Sequence, residues 1–141
     1  MDAKKYKNPT YRYLWPLFAG FGIVIALLAT NSDDTAQAIA QAAAGLVLVA
    51  FSVLMIRTGL TATRTGLIVR NAFSTKVISW EQVDSFDVDL FLVVRLTNGK
   101  AVRCSAVQPA NASHITGRGY AYRVATELNS ELADRRARLN D

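Results

Sequence analysis

Hydrophobic positions change their rhythm near residue 57. Residues 14–30 read LWPLFAGFGIVIALLAT without a charge, and residues 36–56, AQAIAQAAAGLVLVAFSVLMI, form a second uncharged run. Counted from Tyr13, the first run makes about 27 Å of helix, close to a bilayer core of about 30 Å. Helices are therefore predicted at about 13–30 and 36–56. Pro16 would fall in the first turn, where a missing N–H costs least, and the polar residues 31–35 offer helix caps. The Leu, Ile, Val and Phe side chains of the first run favour membrane by roughly 3 to 5 kcal/mol before glycine and proline subtract. Small residues recur along both runs, Ala19, Gly22, Ala26 and Ala29 on one and Ala38, Ala42, Gly45 and Ser52 on the other. Such stripes let two antiparallel helices approach closely. Two core helices of a water-soluble fold are disfavoured, because nothing later in the chain is apolar enough to enclose them.

Beyond residue 57 the pattern becomes short alternating runs separated by turn residues, which predicts an antiparallel sheet. Strands are expected at about 58–64, 67–71, 75–79, 84–89, 91–97 and 100–107. Leu67 and Val69 alternate with Ile68 and Arg70, and Leu92, Val94 and Leu96 alternate with Phe91, Val93 and Arg95. Asn98-Gly99 between two β-rich runs predicts a hairpin with a type I′ turn. Ser79-Trp80-Glu81-Gln82 has the spacing of a capping box and predicts a short helical turn. A last helix is expected at about 120–140, burying Ala121, Val124, Ala125, Leu128 and Leu132 and leaving Arg123, Glu127, Glu131, Arg135 and Arg138 in water. The predicted class is α+β. Residues 1–56 would be an N-terminal tail and transmembrane hairpin, and residues 57–141 a small β-barrel capped by that helix.

Composition supports a lipid-facing part. Of the 141 residues 51% are hydrophobic and 19% charged, and the mean hydropathy is +0.17; soluble domains carry about a quarter charged residues. A disordered chain and a disulfide scaffold are excluded, and the lone cysteine, Cys104, fits a reducing compartment. The net charge of +5 is placed by topology. Lys4, Lys5, Lys7 and Arg12 precede the first apolar run, none lies in residues 31–35, and Arg57, Arg64 and Arg70 follow the second. The positive-inside rule then puts both termini in the cytoplasm of a multi-pass protein. Tyr11, Arg12, Tyr13, Trp15 and Arg57 read as interfacial anchors. A cleavable signal is the competing reading of the first run, since Ala36-Gln37-Ala38 has the form of a cleavage site; the C-terminal domain would stay on the same side.

Chemistry-bearing residues are sparse. His114, the single histidine, stands in a polar loop, and Cys104 alternates with Val102 and Ala106 as a small buried hydrophobe. Asp84, Asp87 and Asp89 read as a solvated strand edge rather than a metal site, and Asn111-Ala112-Ser113 is a glycosylation pattern without meaning in a cytoplasmic loop. Gly117-Arg118-Gly119 could be an anion nest assisted by Arg123, or simply a hinge into the helix. No catalytic residue, metal site or cofactor is expected. Nucleic acid is not an expected partner, because no basic stripe interleaves with exposed aromatics.

The order of short motifs adds a family. Gly59-Leu60, Gly66-Leu67-Ile68-Val69-Arg70, Trp80-Glu81-Gln82-Val83 and Asn98-Gly99 follow two apolar helices. This layout resembles the bacterial PH-like (pleckstrin-homology-like) membrane proteins related to the low-molecular-weight protein antigen group. The resemblance implies a PH-like barrel capped by a C-terminal helix in a bacterial cell membrane, with no established catalytic activity. Two roles are then expected. One is a membrane-tethered binding module that recruits a protein partner or contacts anionic lipid headgroups; the other is a non-catalytic accessory subunit of a larger transport, respiratory or envelope-building complex, served by Gln37, Gln41 and the small-residue stripes. Counting turns of an up-and-down meander brings Arg70, Phe73, Lys76, Leu90 and Phe91 to the membrane end as headgroup or partner contacts. Trp80 and Val83 are expected to plug the opposite end.

Overall fold

The structure, a computed structural model, describes residues 3–109 and 119–140, with the backbone alone for Thr10, Leu139 and Asn140. The chain divides into two compact units, Pro9–Arg57 and the pair of segments Met1–Asn8 and Thr58–Asp141.

The first unit is a helical hairpin. Helix α1 spans Pro9–Leu28, a 3-10 turn covers Ala29–Asn31, and α2 spans Thr35–Ile56. Helix α1 thus starts at Pro9 rather than near Tyr13. Pro9 occupies the first helical position, where its missing N–H has no helical acceptor to lose. Pro16 lies inside the helix, not in its first turn, and withholds the bond that the Arg12 carbonyl would otherwise accept. Hydropathy marks where lipid could begin; backbone geometry sets where the helix begins. At the other end of the hairpin the Asp34 carboxylate caps α2, accepting from the Ala36 N–H at 2.8 Å.

The small-residue stripes face each other. A Cβ at Gly45 would stand 2.5 Å from the Gly22 carbonyl oxygen and 2.7 Å from the Ala26 nitrogen, and a Cβ at Gly22 would stand 2.9 Å from the Gly45 oxygen. Only glycine permits this backbone approach. Ser52, fully buried, satisfies its hydroxyl on the Leu48 carbonyl at 2.7 Å. Long apolar side chains point away from this seam, with Leu17 70% and Val47 68% exposed. Both helices are long and apolar enough to cross a membrane.

Among the described residues the second unit holds seven antiparallel strands and one α-helix. In chain order they are β1 Lys4–Tyr6, β2 Gly59–Ala62, β3 Gly66–Arg70, β4 Thr75–Ser79, β5 Val83–Val88, β6 Leu92–Leu96, β7 Ala101–Cys104 and α3 Tyr120–Asn140. They form one sheet in the order β1-β2-β3-β4 and a second in the order β5-β6-β7. Strand β1 is the unexpected element. The tail ahead of the hairpin folds back beside the strand that follows it, with Lys4 opposite Ala62, Lys5 opposite Thr61 and Tyr6 opposite Leu60. Three residues with a single buried side chain, Tyr6, carry no alternation that a sequence pattern could show.

The expected barrel is built as two sheets around one core. Leu60, Leu67 and Val69 from the first sheet meet Val83, Phe86, Leu92, Val94, Val102 and Cys104 from the second. The chain passes between sheets through a 3-10 turn, Trp80–Gln82, where the Gln82 side chain accepts from the Ser79 N–H at 3.4 Å. Helix α3 buries Ala121, Val124, Ala125, Leu128 and Leu132 in the same core. The Asn98-Gly99 hairpin forms with a different turn from that expected. Gly99 alone takes a positive φ, +78°, and its N–H bonds the Leu96 carbonyl at 2.9 Å. This is a type I turn closed by a left-handed glycine; the Asn98 side chain accepts from the Lys100 N–H at 3.0 Å instead of its backbone turning left-handed.

Gly45→Val should destabilise the hairpin by about 1 to 3 kcal/mol through overpacking, read as a lower detergent-denaturation midpoint. Gly20→Val, where nothing lies within 4 Å of an added Cβ, should leave the midpoint unchanged.

Candidate binding surfaces

The domain has two ends, and hydrogen bonds between loops define both. At the first, the chain leaves for the hairpin and returns from it. The Asn8 N–H donates to the Ala106 carbonyl at 3.1 Å, the Lys7 N–H to the Tyr120 hydroxyl at 2.9 Å, and Thr58 is buried where the chain comes back. Gly59 pairs with Arg70, so the β3–β4 turn opens at this same end. Asn71 organises that turn. Its N–H bonds the Ser74 carbonyl at 2.8 Å, and its side-chain amide bonds the far sheet, donating to the Arg103 carbonyl at 2.8 Å and accepting from the Ser105 N–H at 2.9 Å. The β5–β6 turn is closed by the Asp89 N–H on the Phe91 carbonyl at 3.0 Å, and Leu92 then bonds Val107 at 2.9 Å.

Of the five residues singled out for this end, Arg70, Phe73 and Leu90 are exposed, Phe73 by 84%. Phe91 is half-buried, and Lys76 is exposed one step further along β4. Large apolar side chains at loop tips beside cations suit contact with another surface better than contact with water.

At the opposite end Trp80 lies under the β2–β3 turn. Its indole N–H donates to the Thr63 carbonyl at 2.9 Å, its ring meets Phe86 edge-on at 6.3 Å, and it is nearly buried. Val83 beside it is fully buried, and the Thr97 N–H ties the β6–β7 turn to the Gln82 carbonyl at 3.0 Å. The Arg135 guanidinium stacks 4.5 Å above the Trp80 ring, bonds Glu131 at 2.7 Å and donates to the Arg64 carbonyl at 2.9 Å. Glu131 and Arg135 were expected in water but are half-buried, because the aromatic face attracts the cation and the cation holds the carboxylate. A groove of about 1090 Å³ runs along α3 past Arg64, Trp80, Glu127, Glu131, Arg135 and Arg138.

Strand β1 joins this helix through side chains that sequence reasoning missed. Lys4 forms an ion pair with Glu127, and the Tyr6 hydroxyl donates to the same carboxylate at 3.0 Å. The Lys4 ammonium, aided by the Tyr6 hydroxyl, holds Glu127 below the usual carboxylate range, while burial and then Glu127 push the Tyr6 phenol upward.

The other singled-out residues fall as follows. In the hairpin, Trp15 packs 5.6 Å edge-on against Phe51 and 5.8 Å from Tyr11, Arg12 lies 6.0 Å over the Tyr13 ring, and Arg57 ends α2 exposed. Cys104 is fully buried and its thiol is pushed up to about 11 by burial, which suppresses thiolate chemistry. Asp87 pairs with Arg95, and Asp84 lies 3.8 Å from Arg136. His114, Asn111-Ala112-Ser113, Gly117 and Arg118 lie outside the described residues.

Residues 57–115 match the family model of the bacterial PH domain. This segment is a bacterial PH-like domain. No curated protein and no solved structure matches the chain. The match begins at Arg57, so β1 lies outside it: the first strand of the domain's sheet is supplied from ahead of the two helices.

Trp80→Ala should cost the PH-like domain about 3 to 5 kcal/mol, a large part of a small domain's stability. Residues 57–141 should become protease-sensitive; an unchanged digestion pattern would show that Trp80 carries no structural weight.

Proposed function

We propose that the chain is a membrane-anchored, non-catalytic binding module of the bacterial cell, with its PH-like domain on the cytoplasmic side. The observation that carries this reading is the pairing of β1 with β2. A segment before the apolar helices and a segment after them share one sheet, so a hairpin that crosses the membrane must enter and leave on one face. Lysine and arginine flank both helices on that side and are missing from residues 31–35, which selects the cytoplasm. Tyr11, Arg12, Tyr13, Trp15 and Arg57 act as its interfacial anchors.

Chain connectivity also favours one end of the domain for lipid. Asn8 and Thr58 are the points where the domain joins the hairpin, and Arg70 lies one register step from Thr58. Arg70, Phe73, Leu90 and Phe91 then contact the headgroup layer, with Lys76 at its margin. Each cation contributes about 1 kcal/mol near an anionic surface; Asp89 at the second turn weakens the contact there. The domain presents its remaining surface to a protein partner. An accessory subunit of a larger membrane complex is the second reading, favoured by the exposed Gln37 on α2, since an amide facing hydrocarbon gains from a neighbouring helix.

With Cys104 replaced by Ser, an impermeant thiol reagent applied to intact cells should label Ser32→Cys and not Ser130→Cys. The reverse pattern would overturn the topology. In nanodiscs, a spin label at position 73 should be relaxed by a lipid-soluble agent much more than one at position 98; equal relaxation would remove the headgroup contact and leave Phe73, Leu90 and Phe91 as a closure of the domain's lower end.

A further inference from the structure

Strands β4 and β7 are each an outer strand of their sheet, and among the described residues no ladder pairs them with one another. A cleft of about 490 Å³ lies along this seam, bordered by Lys76, Val77, Ile78, Leu96, Lys100 and Val102. Its ends are fixed. Asn71 bridges to β7 at the hairpin end, and the Thr97–Gln82 bond joins the sheets at the other. The opening is therefore a preformed feature of the domain.

The hydrogen-bond ladder fixes which backbone groups face the cleft. Asn71 and Ser74 bond each other across the β3–β4 turn. Bonding pairs alternate along an antiparallel ladder, so Lys76 and Ile78 turn their backbone groups to β3 while Thr75 and Val77 direct theirs outward, toward the seam. On β7, Leu96 bonds Lys100, and the same alternation turns Ala101 and Arg103 outward. The Asn71 side chain, which takes the Arg103 carbonyl and the Ser105 N–H, already bonds this edge as a neighbouring strand would.

Side chains along the edge have an unusual distribution. Lys76 stands opposite the fully buried Val69, on the core-facing side of β4, yet it is exposed because no strand covers the seam. Val77, on the outer face, is 76% exposed. Lys76 and Lys100 are the charged residues of the cleft, no carboxylate borders it, and among the described residues neither ammonium has an ion-pair partner. An inward lysine discourages pairing with a second copy of β4 and selects an acidic strand by the same repulsion.

We propose that the β4–β7 seam is a peptide-docking site that takes an extended acidic segment of a partner protein as an added strand on β4. The segment would bond the outward groups of Thr75 and Val77. Its acidic side chains would meet Lys76 and Lys100 over the cleft, and alternate apolar side chains on its outer face would cover Val77. The proposal rests on the binding-module reading and not on the side of the membrane.

The test is selection from a random dodecapeptide phage library on the full chain in detergent micelles. Expected winners alternate glutamate or aspartate with apolar residues. A Lys76→Glu/Lys100→Glu variant should lose their enrichment by about tenfold or more, about 1.4 kcal/mol, and select basic peptides instead. Val77→Pro should abolish enrichment, since it removes an outward N–H without touching the β3–β4 ladder. Both variants must keep the wild-type proteolysis pattern to count. Winners indifferent to charge reversal, or no enrichment above bare beads, would overturn the proposal. So would enrichment that survives in phosphatidylcholine nanodiscs and vanishes in phosphatidylserine-rich ones, which assigns the seam to anionic lipid. Cysteine labelling of positions 32 and 130 is independent: its failure removes the topology and leaves the seam intact, and the converse holds equally.

Discussion

Three backbone pairs, Lys4 with Ala62, Lys5 with Thr61 and Tyr6 with Leu60, constrain the rest of this chain. They join segments separated by the entire hairpin. Closing so long a loop is entropically costly, and three ladder steps are few. The helices reduce that cost, because two antiparallel elements of similar length return the chain to the level where it left. Close approach at Gly22 and Gly45 fixes that return, and Lys4 and Tyr6 on Glu127 hold β1 once it arrives. The hairpin is thus an insertion between the first two strands of a sheet rather than an anchor appended to a finished domain.

An insertion of this kind joins the hairpin to the domain at two points, Asn8 and Thr58. Both segments that join the hairpin belong to the same domain, one through β1 and the other through β2. Asn8 and Thr58 lie at one end of the domain, and the β4–β7 seam opens along its side.

Two arginine-centred contacts show how the far end is kept rigid. Arg135 stacks on Trp80 and reaches the β2–β3 turn, and Arg136 donates to the Val83 carbonyl at 3.0 Å. Helix α3 therefore contributes buried apolar area through Leu128 and Leu132 and polar closure through its last two turns. Asn129 adds a pair of bonds to β5, accepting from the Phe86 N–H at 2.9 Å and donating to its carbonyl at 2.8 Å, and so satisfies the edge of the second sheet where α3 crosses it.

The apolar runs, the small-residue stripes, the core faces of β3 and β6 and the buried stripe of α3 were all legible in the sequence. Each is a repeating pattern whose period reports which side of an element avoids water, and that preference needs no knowledge of the neighbour. The motif order likewise sufficed for the PH-like fold. What the sequence left hidden lacks a period. Strand β1 is three residues with one buried side chain; the left-handed Gly99 without a left-handed Asn98 depends on a side-chain bond; Glu131 and Arg135 carry the local pattern of a solvated face, because nothing near them in the chain announces that Trp80 lies beneath them. Lys76 reads as a surface lysine until its register opposite Val69 places it on the core side of an open seam. Sequence by itself determined which residues seek lipid, core or water. Tertiary structure alone decided which strand edges remain unpaired and which loops share an end, because both are set by contacts between residues far apart in the chain.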